Sequence, residues 1–389
     1  MQRFFSQRLI VLLALLLLVA TGCVGTRLGV SWAALETVGD EQNILIAYND
    51  YLALVDPREG VEVPLRNSEG EIRFDNESGE PRRWEVLGGE FQAQFFSSPI
   101  FINDEELLVA DYNRRLFTVD FPTAQIQNTG ITTDELGQIL TDLSDDGERV
   151  FLPYNQSNLA ARDLETFDPE WEFETGNAVW AAPLLLDGTL YFTSMDHFLY
   201  AVEAETGEEV WRVDLEGAAA ATPTLYNGRL FVGSFARKVF EVSLQGEILN
   251  TQETNNWVWS APAIDENEGT MYVTDLDGYV YAMDPNNGLA PIWEVRAAET
   301  GIRPSALIAG NYVIVGARNG NVVWLDRESG EPQFTRELGA EILSELMLIE
   351  PSETLDISQP LVILSTVAAD RTLVAYDLEN ANQQWVYGR

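Results

Sequence analysis

The chain has 389 residues, 46% of them apolar, which is ordinary for a protein with a sizeable core and excludes disorder for most of its length. Acidic residues number 62 against 23 basic ones, giving a net charge of −39, and Lys238 is the sole lysine. So negative a surface repels phosphate backbones and anionic headgroups, which argues against a nucleic-acid partner and leaves basic partners and divalent cations open.

In chain order, the first element reads as a targeting signal. Residues 1–22 carry Arg3 and Arg8, an apolar run from Leu9 to Ala20, and the small residues Thr21 and Gly22. The run falls short of the roughly 20 apolar residues that a membrane span needs. Ala20-Thr21-Gly22-Cys23 resembles a bacterial lipobox, which implies cleavage before Cys23 and diacylation of its sulfur. Cys23 is the only cysteine, so the fold has no disulfide to lean on. The expected division is a signal peptide at 1–22, a lipidated linker at 23–30 and one folded domain at 31–389. Val24 follows the anchor where some inner-membrane lipoproteins carry aspartate, which points to the outer membrane in a two-membrane cell and otherwise to the cell surface.

From about residue 31 one unit repeats eight times. An apolar run, a turn with glycine and two alternating runs recur, as in Ala182–Glu203 and Thr222–Ser243, which predicts a four-stranded antiparallel meander per unit. The third strand ends at Asp56, Asp120, Asp163, Glu203, Ser243, Asp284, Asp326 and Asp377, at intervals of 64, 43, 40, 40, 41, 42 and 51. The two long intervals contain polar insertions, near Arg66 to Arg83 in unit one and Glu350 to Gln359 in unit eight. Trp171, Trp211, Phe334 and Trp385 lie eight residues beyond the acidic landmark, and Trp293 nine, where they fall on the fourth strand and can pack on the next sheet. Units of this kind bury both faces by stacking radially, so the fold class is an all-β, eight-bladed propeller of four-stranded antiparallel blades.

Ala201-x-Glu203-x-x-x-Gly207-x-x-x-Trp211 resembles the tryptophan-docking repeat of quinoprotein propellers, the pyrroloquinoline-quinone-like repeat. Ala161-x-Asp163…Trp171 and Ala375-x-Asp377…Trp385 match it with the glycine replaced. The resemblance implies a quinoprotein-like propeller, shared by dehydrogenases and binding scaffolds alike. In layout the chain is similar to the scaffold lipoproteins of the outer-membrane β-barrel assembly machinery. That similarity implies a non-catalytic role with no cofactor, as a monomer docked on envelope proteins within a larger complex and held to the membrane through Cys23.

Catalytic chemistry finds little support in the residues. Zinc sites and nucleophilic triads need Cys or His, and the folded region offers His197 alone, in a hairpin of unit four. Asp275-Leu-Asp277-Gly278 lacks the remaining ligands of a calcium loop and reads as a turn. No catalytic, cofactor or metal residue is therefore assigned. One pattern stands out. Three residues before the proline, or its equivalent, that opens the first strand stand Phe96, Trp180 and Trp259 in units two, four and six; Ala220, Ile302 and Ile342 are placed there in units five, seven and eight. First strands line a propeller's channel, so Phe96, Trp180, Trp257 and Trp259 are candidates for an aromatic binding rim, with packing between blades as the competing reading. A propeller binding a small molecule, glycan or cation at the cell surface is the alternative to the scaffold, and a quinone-dependent oxidoreductase is a more distant one.

Overall fold

A computed structural model describes residues 33–389, except 68–69, 89–92, 133–136 and 140. The signal, the linker and Cys23 lie outside the described residues.

The described chain forms eight antiparallel sheets in sequence order, seven of four strands and one of five. They are the eight expected blades. All eight predicted third strands are present, from Tyr51–Asp56 in blade one through Phe198–Glu203 in blade four to Leu373–Asp377 in blade eight. The acidic residue at the strand's end has a local cause. Its carboxylate accepts backbone N–H groups of the following turn, as Asp163 does from Glu165 and Thr166, and Asp326 from Ser329. Those bonds favour the ionised form and hold both carboxyls below the usual aspartate range.

Blade one differs because of its insertion. Its third strand pairs with Val61–Glu62 at one end and with Glu85–Leu87 at the other, so the described residues between them form an excursion that interrupts a single fourth strand. The longer first hairpin of blade eight lies between Met347–Ile349 and Leu361–Ser365.

The core consists of eight wedges, each shared by neighbouring blades. Alternate residues of one strand enter different wedges, because successive side chains point to opposite faces. Phe192 packs with blade three, whereas Tyr191 beside it packs with blade five. Second and third strands are consequently buried on both faces, as in Ile44–Ala47. Fourth strands are more open, alternating between half-buried and exposed positions, as in Pro332–Glu337.

Tryptophans pin adjacent blades together. The indole N–H groups of Trp84, Trp171, Trp211, Trp293 and Trp385 donate to the carbonyls of Phe121, Ala204, Leu244, Arg327 and Pro57 in the following blade, at 2.6–3.1 Å. Every acceptor directly follows the end of a third strand. For all but Trp84, whose receiving turn has no glycine, the ring rests on the glycine of that turn: a Cβ on Gly207 would lie 2.7 Å from Trp171, and one on Gly330 2.7 Å from Trp293. The repeat's glycine therefore serves the preceding blade's tryptophan as well as its own turn. Trp84 was hidden by the insertion. In blade five, where Asn250 stands on the fourth strand, Arg229 supplies the donor instead, to Pro285 at 2.8 Å.

The ring closes side by side, with no strand exchanged between first and last blades. Trp385 docks on Pro57, one wedge joins Ile44, Ile46 and Val55 to Ile363, Ala375 and Tyr387, and Arg389 pairs with Glu62 and Glu85.

Candidate functional site: an axial cavity with an aromatic mouth

A cavity of about 280 Å³ lies where the eight blades converge, lined by at least one residue from each. Its first tier comes from the segments entering the innermost strands. Phe96, Trp180, Ala220, Trp259, Arg303 and Leu343 each stand four residues ahead of that strand and all line the cavity. Phe96, Trp180 and Trp259, the sequence-derived candidates, are thus brought together. Ile302 and Ile342 are not: both are completely buried between blades, beside Arg303 and Leu343, which take the axial position. The proline that marks the strand's start is displaced to Pro304 in blade seven and missing from blade eight, which shifts the expected position by one residue. In a segment whose neighbours alternate between interior and axis, one residue changes the direction a side chain faces.

Trp180 and Trp259 approach to 6.0 Å between ring centroids. Trp257 lies beyond the cavity and is 47% exposed, stacked on Phe235 at 4.9 Å and 7° between planes. Phe235 in turn stacks on Trp259 at 5.3 Å. An aromatic surface therefore runs from the cavity wall through Trp259 and Phe235 to Trp257 in solvent. Phe96 is 8% exposed and packs on Tyr112 at 5.2 Å. Phe235 and Tyr112 escaped the sequence reading; the available signal was an aromatic inside a second-to-third-strand hairpin, where Asn, Asp and Gly are favoured. These hairpins and the inter-blade segments share one face of the disc, as the Met195 N–H bond to Ala178 shows.

The second tier, two residues further on, puts polar side chains on the cavity wall in blades two, three and eight, as Ser98, Asp142 and Glu345. Asp142 accepts the Ser98 N–H of the preceding blade at 2.7 Å, and Glu345 accepts the Ser305 N–H at 2.7 Å. Glu345 is exposed, but to a cavity walled by residues of all eight blades. That desolvation, reinforced by the Asp142 charge, lifts its carboxyl to about 7, against the lowering influence of the Ser305 bonds and Arg303. Desolvation lowers Arg303 to about 10, with help from Arg318; its guanidinium lies 4.6 Å from the Trp259 ring centroid.

His197 is an exposed turn residue at φ 83°, its carbonyl taken by the Leu215 N–H. The Asp275 carboxylate is buried and accepts from Asn256, Asp277, Tyr279 and Tyr281, which makes it the hub of a hairpin. Among the described residues no group of three or more His, Cys, Asp or Glu is arranged to hold a metal ion. A bound pyrroloquinoline quinone, a tricarboxylate, would meet Asp142 and Glu345 with Arg303 as the one cation lining the cavity among the described residues, so the residues present do not fit that cofactor.

Comparison with known proteins agrees with this architecture. A family profile described as outer membrane protein assembly factor BamB matches residues 195–299 and 276–389, just over half the chain. The chain belongs to this BamB-type PQQ-repeat family. A second profile, the β-propeller domain of glucose, ethanol and alcohol dehydrogenases, matches residues 151–232. No curated protein matches the sequence. Among solved structures, BamB from Moraxella catarrhalis superposes with a TM-score of 0.64 at 15% identity, over 88% of this chain and 95% of that one. The computationally designed Ika8 protein does so with a TM-score of 0.62 at 14% identity, over 90% and 98%. Both likenesses concern the propeller fold alone.

Proposed function

We propose that the protein is a non-catalytic envelope lipoprotein, tethered through Cys23, that serves as a protein-binding scaffold in outer-membrane protein assembly. The observation that carries this reading is the aromatic surface at the mouth of the axial cavity, which stacks a half-exposed Trp257 on Phe235 and, through it, on Trp259. Large aromatics with one face free are the usual anchors of protein interfaces. Membership of the BamB-type family supports the assembly role. The Arg3-to-Cys23 stretch supports the anchor.

Capture from native envelopes with the full-length chain tests it. The protein should recover a barrel-assembly subunit, identified by mass spectrometry, and Trp257→Ala should lose it. Recovery unaffected by that substitution, or absence of any assembly subunit, overturns the reading.

A second reading has one observation in its favour: aromatics and carboxylates line the same cavity, as a surface propeller binding a small molecule, glycan or cation would require.

A further inference from the structure

We propose that the axial cavity receives a basic side chain of the partner segment, its cationic head between Asp142 and Glu345 and its aliphatic stem against Trp180 and Trp259. This rests on the scaffold reading and names the chemistry of the segment that the mouth receives.

The charge distribution selects among occupants. An apolar side chain would strip water from Asp142 and Glu345 and return no hydrogen bond, which is costly for a carboxylate. An anion would add its charge to theirs. Glu36, on the innermost strand of blade one, is near enough to Asp142 for its carboxyl to be raised by it, after desolvation, and Glu345 responds to Asp142 in the same direction. Three acidic groups therefore share this region, and among the described residues Arg303 is the one cation on the cavity wall. A cation relieves their repulsion and replaces the lost water.

The acceptors are already positioned. Asp142 is held by the Ser98 N–H through Oδ1, while its Oδ2 accepts no hydrogen bond among the described residues. Glu345 is held by the Ser305 N–H through Oε2. Carboxylates fixed before binding lose little freedom when a donor arrives. The wall shows what it accepts, because Arg303 already lies against Trp259. Stacking against indole suits a guanidinium or ammonium on a flexible stem. The net charge of −39 also favours the approach of a basic segment.

Calorimetric titration of the full-length protein in detergent, above the Glu345 midpoint, with the capped peptides Leu-Arg-Leu, Leu-Leu-Leu and Leu-Glu-Leu tests this directly. The arginine peptide should bind about tenfold more tightly than the leucine peptide, and Asp142→Asn or Glu345→Gln should each remove most of that advantage. Both variants are isosteric, and their melting curves report whether they remain folded. Equal binding of the arginine and leucine peptides, unchanged in the variants, overturns the inference while the scaffold reading stands. Binding of none of the three, with capture of an assembly subunit intact, likewise overturns the inference alone. If capture fails as well, both fall.

Discussion

Trp385 donates its indole N–H to the carbonyl of Pro57 at 2.8 Å, across 328 residues of sequence, and its ring lies on Gly60. With no shared strand, this docking, its wedge and the Arg389 pairs with Glu62 and Glu85 join the last blade to the first. Trp385→Ala should cost about 3–5 kcal/mol, as loss of a large buried aromatic does. Trp385→Phe, which keeps a ring over Gly60 and loses the hydrogen bond, should cost about 1 kcal/mol from that bond. Chemical denaturation of the two variants checks the order.

Blade five tests the same device by a different chemistry. Glu241 is 1% exposed, bonded to Asn250 at 2.7 Å and paired with Arg229, which reaches the Pro285 carbonyl that a tryptophan would otherwise take. Removing one partner of a buried pair strands the other, so Glu241→Ala should cost about 2 kcal/mol or more, allowing for the part-exposed arginine. Glu241→Ala with Asn250→Trp recreates the alanine–tryptophan pairing seen at Ala201 and Trp211, and should recover part of the loss. Denaturation midpoints of wild type, single and double variants decide it.

The Glu345 carboxyl titrates at about 7 in the folded protein, against an ordinary value of 4.5. Between those two values the unfolded chain has lost the proton that the folded protein keeps. This group's contribution to stability is therefore complete below pH 4.5 and disappears as pH rises to about 7. Glu345→Gln removes the titration, so the variant should gain melting temperature relative to wild type on passing from acid to alkaline buffer. Paired thermal scans across that window measure it.

Rim and interior positions should respond oppositely to truncation. Trp257, stacked on Phe235 with 47% of its surface in solvent, should tolerate alanine with a change within about 0.5 kcal/mol. Phe95, fully buried one residue before Phe96, should cost about 3–5 kcal/mol when truncated. Thermal melts of Trp257→Ala and Phe95→Ala distinguish a rim from inter-blade packing.

The blades were legible because each third strand ends on a residue with a local duty. Asp163 and Asp326 cap the turns that follow them, so the acid recurs wherever the turn does. Docking tryptophans were legible where the turn length is constant. Trp84 escaped because the excursion between Glu62 and Glu85 moves it away from Asp56 along the chain while leaving it in its place in space. The rim was partly legible: aromatics preceding a proline marked Phe96, Trp180 and Trp259, whereas Arg303 and Leu343 lacked that marker and Ile302 and Ile342 were assigned in their place. Asp142 and Glu345 could not be read at all. They stand 203 positions apart in the sequence and line one cavity because the ring brings the inner segments of its blades to a common centre.

Site-specific photo-crosslinking in intact cells tests the central claim most directly, with the probe at position 257 beside the cavity mouth and a control probe at position 210 on an exposed outer strand. The account predicts one discrete adduct at position 257, containing a barrel-assembly subunit, and none at position 210. Equal labelling at both positions, or no adduct at position 257, would contradict it.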